Sequence, residues 1–311
     1  MQPEIQYLDD FVKDCRLRGM SHASILSYRT SLRIFIKYLE SLGRSVTEVG
    51  KNELRSYIDY LKNERKISIK TIENHFAAMS SFYEYLAFED QVEKNPVLPV
   101  RKRYLRSYKK DGNNGGQTRK LISVDEMSRL VNSIMNARDR ALLTLLAKTG
   151  IRRGEIVKID VDDVDFSKGT IKLKKTAKRT NRVVLFDDET EHVLKEWLSM
   201  RRHYTKPDVK ALFVTKSGSR LNKNGVYDTV ISHAKRLGFH DSNSDKLEDH
   251  FTPHCCRHWF TTHLRRAGMP REHIQELRGD VRGTAMDIYY HIDFEELRRS
   301  YLAYVPRLGI Y

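Results

Sequence analysis

The chain has 311 residues, 40% hydrophobic and 31% charged, the composition of a globular protein long enough for two domains or one large one. Lys and Arg total 56 against 41 Asp and Glu, a formal charge of +15, which argues against an ordinary acidic metabolic enzyme and points to a polyanionic partner. No uncharged apolar stretch approaches the ~18 residues of a membrane span. Residues 1–14 carry four acids and no apolar run, so no secretory signal is expected. The three cysteines, Cys15, Cys255 and Cys256, are too few for a disulfide framework, so a reducing, intracellular home is expected.

The first hundred residues read as helices. Ile25, Tyr28, Leu32, Phe35, Ile36 and Leu39 keep the 3.6-residue spacing behind a cap at Ser21 or Ser24. Ile69, Ile72, Phe76, Met79, Phe82 and Leu86 repeat it behind Ser68, and a shorter helix is predicted over 53–61. Residues 1–105 are therefore predicted to form a small all-α bundle of about four helices, its aromatic stripe serving as core rather than as a base-stacking surface. The stretch 101–120 carries eight basic residues and one acid around the turn-forming 111–116. It reads as an interdomain linker, flexible over 106–120, with Arg101, Lys102, Arg103, Arg106, Lys109 and Lys110 placed to lie on phosphates.

Residues 121–311 read as mainly α with a small antiparallel sheet. Ser123 and Glu126 form a capping box ahead of Met127, Leu130, Val131 and Ile134. Residues 141–147 are apolar on nearly every face, which predicts a buried helix that Gly150 interrupts. Strands are expected at 170–175 and 181–186 around a tight basic turn, and helices from 189–200 nearly to the end. Near the tail, Phe294, Leu297, Tyr301 and Val305 form an apolar stripe.

Four clusters carry candidate chemistry. In Thr149-Gly150-Ile151-Arg152-Arg153-Gly154-Glu155-Ile156, Arg152 and Glu155 are three apart, so on a helix a carboxylate holds a guanidinium in one orientation. In Pro253-His254-Cys255-Cys256-Arg257-His258, an imidazole and a guanidinium share a face, one able to pass protons and the other a planar fork for phosphate oxygens. A zinc reading of His254 and His258 is weaker, because the two thiols point to other faces and no second ligand pair completes a tetrahedron. The cysteines read better as small buried hydrophobes. The third cluster is the cationic hairpin 170–182, and the fourth is Leu277-Arg278-Gly279-Asp280 followed by Tyr289, Tyr290 and His291.

In order, these spell Arg, Lys, His-x-x-Arg, a polar residue and Tyr, and the chain resembles the tyrosine recombinase (phage integrase) family. TGIRRGEI is similar to its first arginine box, PHCCRHWFTTHLRRAG to its second and DIYYHID to its nucleophile box. The resemblance is strong from about 121 onward and consistent over 11–90, which resembles the helical, SAM-like core-binding domain. The tail looks most like archaeal integrases, and the whole like Xer-type recombinases. Asp280 departs from the usual His or Trp, Cys256 replaces a Leu, and the basic turn is enlarged.

The resemblance implies a site-specific DNA recombinase or integrase. Tyr289 would attack a phosphodiester to leave a 3′-phosphotyrosyl bond, with Arg152 and Arg257 on the non-bridging oxygens. His254 would take a proton or stabilise charge. Lys175, preferred over Lys178, would protonate the leaving 5′-oxygen, while Glu155 orients Arg152 and Asp280 pairs with Arg or His. No ATP, metal or other cofactor is required. The implied partner is double-stranded DNA, held in a clamp by two domains, with a dimer at each site and a tetramer at synapsis. The tail stripe would pack on a neighbouring subunit or close its own domain. A cytoplasmic, nucleoid-associated location follows. The competing readings are a type IB topoisomerase and an inactive DNA-binding relative.

Overall fold

The computed structural model of the chain describes residues 3–105, 119–174, 183–279 and 292–311. Two compact units, Met1–Gly116 and Gln117–Tyr311, each build a hydrophobic core.

The first unit holds α1 (Pro3–Leu17), α2 (His22–Ser41), α3 (Lys51–Asp59), α4 (Ile69–Phe88) and α5 (Val97–Tyr104). Ser21 caps α2 by accepting from the Ser24 amide, and Ser68 caps α4 through Thr71. Each hydroxyl satisfies an amide that no helical carbonyl can reach. α3 widens into a π turn, Tyr60–Glu64, which takes Leu61 out of the α-helix. α2 packs on α4, and Phe11, Leu32, Phe35, Phe76 and Phe82 are fully buried, so the aromatic stripe is core as expected. α5 corrects the reading of 101–120 as linker from its first residue. Val97 and Val100 bury one side of this helix, and Arg101, Lys102 and Arg103 occupy its last turn. Two apolar positions are too short a period to announce a helix from sequence. Arg106, Lys109 and Lys110 lie outside the described residues.

The second unit opens with α6 (Val124–Asn132), α7 (Ala137–Thr149) and α8 (Arg153–Ile156). The expected capping box is present: Ser123 Oγ accepts from the Glu126 amide at 3.0 Å, and Glu126 Oε2 accepts from the Ser123 amide at 2.7 Å. α7 is buried from Ala141 through Thr149. A three-stranded antiparallel sheet follows, β1 (Val164–Asp165), β2 (Thr170–Lys172) and β3 (Val183–Leu185), with Ile171 opposite Val184. The two expected strands are each shorter than predicted, and β1, only two residues long, has no alternation to read. Next come α9 (Asp188–Arg201), α10 (Lys223–Arg236), α11 (Pro253–Arg266), α12 (Arg271–Arg278) and α13 (Phe294–Tyr304). α7 packs against both α9 and α11.

Of the two fates open to the tail, the structure has the intramolecular one. Leu297, Tyr301 and Val305 join a cluster with Phe260, Leu264, Ile274 and Leu277, while Leu308 and Ile310 enter the main core of the same unit. Phe294, the first residue of the predicted stripe, is exposed. Among the described residues no helix is long and apolar enough to cross a membrane.

Candidate active site

Segments distant in sequence meet in the second unit around a cleft of about 440 Å³ lined by Arg119, Arg152, Arg153, Tyr227, His254 and Arg257 among others. The first wall is the end of α7. Gly150 stops the helix with φ at 59°, a left-handed conformation that suits glycine. It also lets Phe260 of α11 approach, since a Cβ at Gly150 would lie 2.5 Å from Phe260 Cδ1.

The chain turns through buried Ile151 to Arg152, which stands just before α8 rather than within it. The expected shared helical face is replaced by a tighter arrangement. Glu155 reaches back, its Oε2 accepting from the Arg152 amide at 2.8 Å and its Oε1 from Arg152 Nη1 at 3.1 Å. The Glu155 side chain is 4% exposed and that of Arg152 31%, so a buried carboxylate orients a guanidinium that still reaches the cleft.

The second wall is α11. Pro253 starts the helix, where a missing amide hydrogen costs nothing. His254 is exposed on that first turn, and Arg257, one turn on, is buried. Arg257 Nη1 donates to the Gly150 carbonyl at 2.7 Å and Nη2 to the Arg278 carbonyl at 3.1 Å. These carbonyls lie at the C-terminal ends of α7 and α12, where the helix dipole concentrates negative charge. Arg257 thus joins three helices while lining the cleft.

The cleft is strongly cationic. The guanidinium of Arg153 lies 5.6 Å from the centre of the Tyr227 ring, a cation–π contact. Partial desolvation, then the charges of Arg119 and Arg257, push the His254 imidazole below its ordinary value. Desolvation, then Arg119 and Arg278, does the same to His258. His254 is therefore neutral near pH 7 and able to accept a proton or a hydrogen bond. A cleft lined by several arginines suits a bound oxyanion such as a phosphodiester.

Of the sequence candidates, the structure brings Arg152, Glu155, His254 and Arg257 together. Lys175, Lys178, Asp280 and Tyr289 lie outside the described residues. Lys174, the neighbour of the candidate lysines, pairs with Asp160 at 3.2 Å and Asp163 at 2.9 Å. Cys255 donates to the His250 carbonyl at 3.2 Å and Cys256 is fully buried, so both thiols turn into the core, away from exposed His254 and His258. Burial pushes the Cys256 thiol far up, into its protonated form.

Sequence reasoning missed Arg119, Arg153 and Tyr227. Arg153 stood inside the quoted motif, Arg119 was counted with the linker, and Tyr227 carried no signal. In the first unit, Lys51, Arg55, Lys102, Arg103 and Tyr104 line a basic groove of about 790 Å³. Lys51 and Arg55, also missed, are four apart on α3, a spacing that places both on one helical face.

Comparison with known proteins accords with this architecture. Residues 120–296 match the family model described as phage integrase family, and residues 7–93 match the phage integrase N-terminal SAM-like domain. Tyrosine recombinase XerD of Oceanobacillus iheyensis is 27% identical, the match covering 96% of this chain and 98% of that protein. Tyrosine recombinase XerC of Herpetosiphon aurantiacus is 29% identical, covering 88% of this chain and 86% of that protein. The Tn1549 transposon integrase in complex with circular intermediate DNA superposes with a TM-score of 0.69 at 20% identity, covering 94% of this chain and 98% of that one. A lambda integrase dimer bound to a COC′ core site gives 0.68 at 14% identity, covering 94% of this chain and 76% of that one. At these identities the solved structures speak for the fold.

Proposed function

Because this chain belongs to the phage integrase family and is a site-specific DNA recombinase of the tyrosine class, we propose that Tyr289 is its nucleophile and that strand exchange passes through a 3′-phosphotyrosyl intermediate. The observation that carries this reading is the convergence of Arg152, His254 and Arg257 on one cleft.

A phenol with an unperturbed pKa of ~10 attacks poorly at neutral pH unless its proton is accepted or its charge is offset. His254, held neutral, is the acceptor in reach of a bound phosphate. The Tyr289 oxygen bonds to phosphorus, and the bond to the 5′-oxygen breaks. Arg152 and Arg257 offset charge on the non-bridging oxygens as it grows, and Lys175 or Lys178 gives the proton to the departing 5′-hydroxyl. In the second half-reaction a 5′-hydroxyl attacks the phosphotyrosyl ester and releases Tyr289. Because the ester keeps the energy of the broken bond, rejoining needs no ATP. The basic groove of the first unit and the linker residues Arg106, Lys109 and Lys110 would add phosphate contacts. On this reading the chain acts on duplex DNA at the nucleoid, as a dimer at each site and a tetramer at synapsis.

The test is covalent trapping on genomic or element DNA, followed by mapping of the captured phosphate. The wild-type chain is expected to yield a 3′-linked adduct on a nicked duplex carrying the mapped site. Tyr289→Phe is expected to bind that duplex without forming adduct, and Tyr290→Phe to retain it. Adduct from the Tyr289→Phe protein overturns the assignment.

A further inference from the structure

A buried ionic cluster lies at the C-terminal end of α7 and has no part in the chemistry above. Lys148, fully buried near the end of α7, donates to Asp187 at 2.6 Å, to Glu189, and to the Pro306 carbonyl at 2.6 Å. A buried ammonium persists only when paired and fully hydrogen-bonded. Here the pairing is shared with the C-terminal segment. Glu189 accepts from the amides of Leu308 at 2.9 Å and Ile310 at 3.0 Å, and Tyr301 donates to the Lys148 carbonyl at 3.1 Å. Outside the cluster, Ser128 donates to the Leu308 carbonyl at 2.6 Å. Two carboxylates face one ammonium; Thr190 supplies further donors to Asp187, while the tail amides and Arg307, 3.8 Å away, supply those to Glu189, so the Glu189 side of the cluster is complete only with 306–310 docked.

The cluster adjoins the catalytic arginines through the backbone. Lys148 is two residues before Gly150, whose carbonyl receives Arg257, and four before Arg152. A shift in the 148–150 backbone would move the Gly150 carbonyl that anchors Arg257 and the start of the turn that leads to Arg152. We propose that Lys148 and Glu189 are positioning residues, and that docking of 306–310 on them sets the turn that holds Arg152 and Arg257. Asp187 serves the same end by capping α9, accepting from the Thr190 amide at 3.0 Å.

The catalytic consequence rests on the recombinase reading, whereas the structural one does not. The experiment compares the full chain with a version ending after Val305 and with Tyr301→Phe and Glu189→Gln. By hydrogen exchange, amides of 146–156 are expected to lose protection by about tenfold in the shortened chain and about fivefold in Tyr301→Phe, the loss of one buried bond. Amides of α2 and α4 should not change. DNA affinity is expected to stay within about twofold while single-turnover adduct formation slows by about tenfold, and a peptide of residues 306–311 should restore part of that rate to the shortened chain. If 146–156 keeps full protection in the folded variants, the coupling is overturned. So it is if affinity and adduct formation decline together without rescue. Should the shortened chain fail to fold, Tyr301→Phe and Glu189→Gln decide. If the full chain makes no adduct, the recombinase reading falls and the exchange data still judge the coupling.

Discussion

Arg257 and Gly150 stand 107 residues apart in the chain, yet the guanidinium donates to the glycine carbonyl at 2.7 Å. Through that bond a residue of the cleft also fixes the end of α7, and through a second, from Nη2 to the Arg278 carbonyl, it fixes the end of α12. On the proposed reading chemistry and packing share one side chain, and substitution should disturb both.

Arg257→Lys keeps the charge and loses the planar fork. Adduct formation is expected to fall about 10²–10³-fold, the scale of losing a preorganised donor in a transition state. Stability should fall by roughly 1–3 kcal/mol, because buried carbonyls lose a donor. Single-turnover trapping and urea unfolding give the two numbers, and a variant equal to wild type in both would remove Arg257 from the site.

Gly150→Ala asks for a Cβ at 2.5 Å from Phe260 Cδ1 at a left-handed φ of 59°. A destabilisation of roughly 1–3 kcal/mol is expected from overpacking, with further backbone strain. Pairing it with Phe260→Leu should recover part of the loss, since the clash then has somewhere to go. Denaturant midpoints of the single and double variants test this.

Desolvation, complete or partial, holds the imidazoles of His75, His240, His254 and His263 below their ordinary value of 6.5, with neighbouring arginines adding to it at His254. As pH falls through 6.5, the unfolded chain takes up protons that the folded chain refuses. Stability is therefore expected to be level above about pH 7 and to decline below about 6.5 until the folded-state values are passed. Urea unfolding across pH 5–8 checks the sign. Adduct formation should fall at lower pH still, where His254 itself is protonated, and His254→Gln should be slow without that acid limb.

On the proposal that the basic groove of the first unit contacts phosphates, alanine at Lys51 and Arg55 should weaken DNA binding. For every phosphate no longer neutralised, the slope of log K against log salt is expected to flatten by about 0.9. Cleavage at saturating protein should be unchanged, because neither residue lies in the catalytic cleft. Binding titrations at several salt concentrations distinguish this from a loss of fold.

Much of the architecture was legible because its signals are local. The caps at Ser21, Ser68 and Ser123 act within one helical turn, so the residues that form them are neighbours in sequence. The burial of α7 was legible because apolar residues cover nearly every face of 141–147. α5 and β1 were not, being too short for a period to repeat. The placement of Arg152 before α8 was also hidden. Whether a residue precedes a helix or opens it depends on what its backbone meets, and here that is Glu155.

The sequence by itself determined the charge, the order of the arginine and histidine motifs and the helical stripes, since these depend on residue type and spacing. Tertiary structure alone decided that Arg119, Arg153 and Tyr227 join the cleft, that Arg257 grips two helix ends, and that the tail is buried in its own unit against Lys148 and Glu189. Those interactions bridge segments far apart along the chain. No local propensity encodes them, because they exist only after the core brings distant backbone groups within hydrogen-bonding reach.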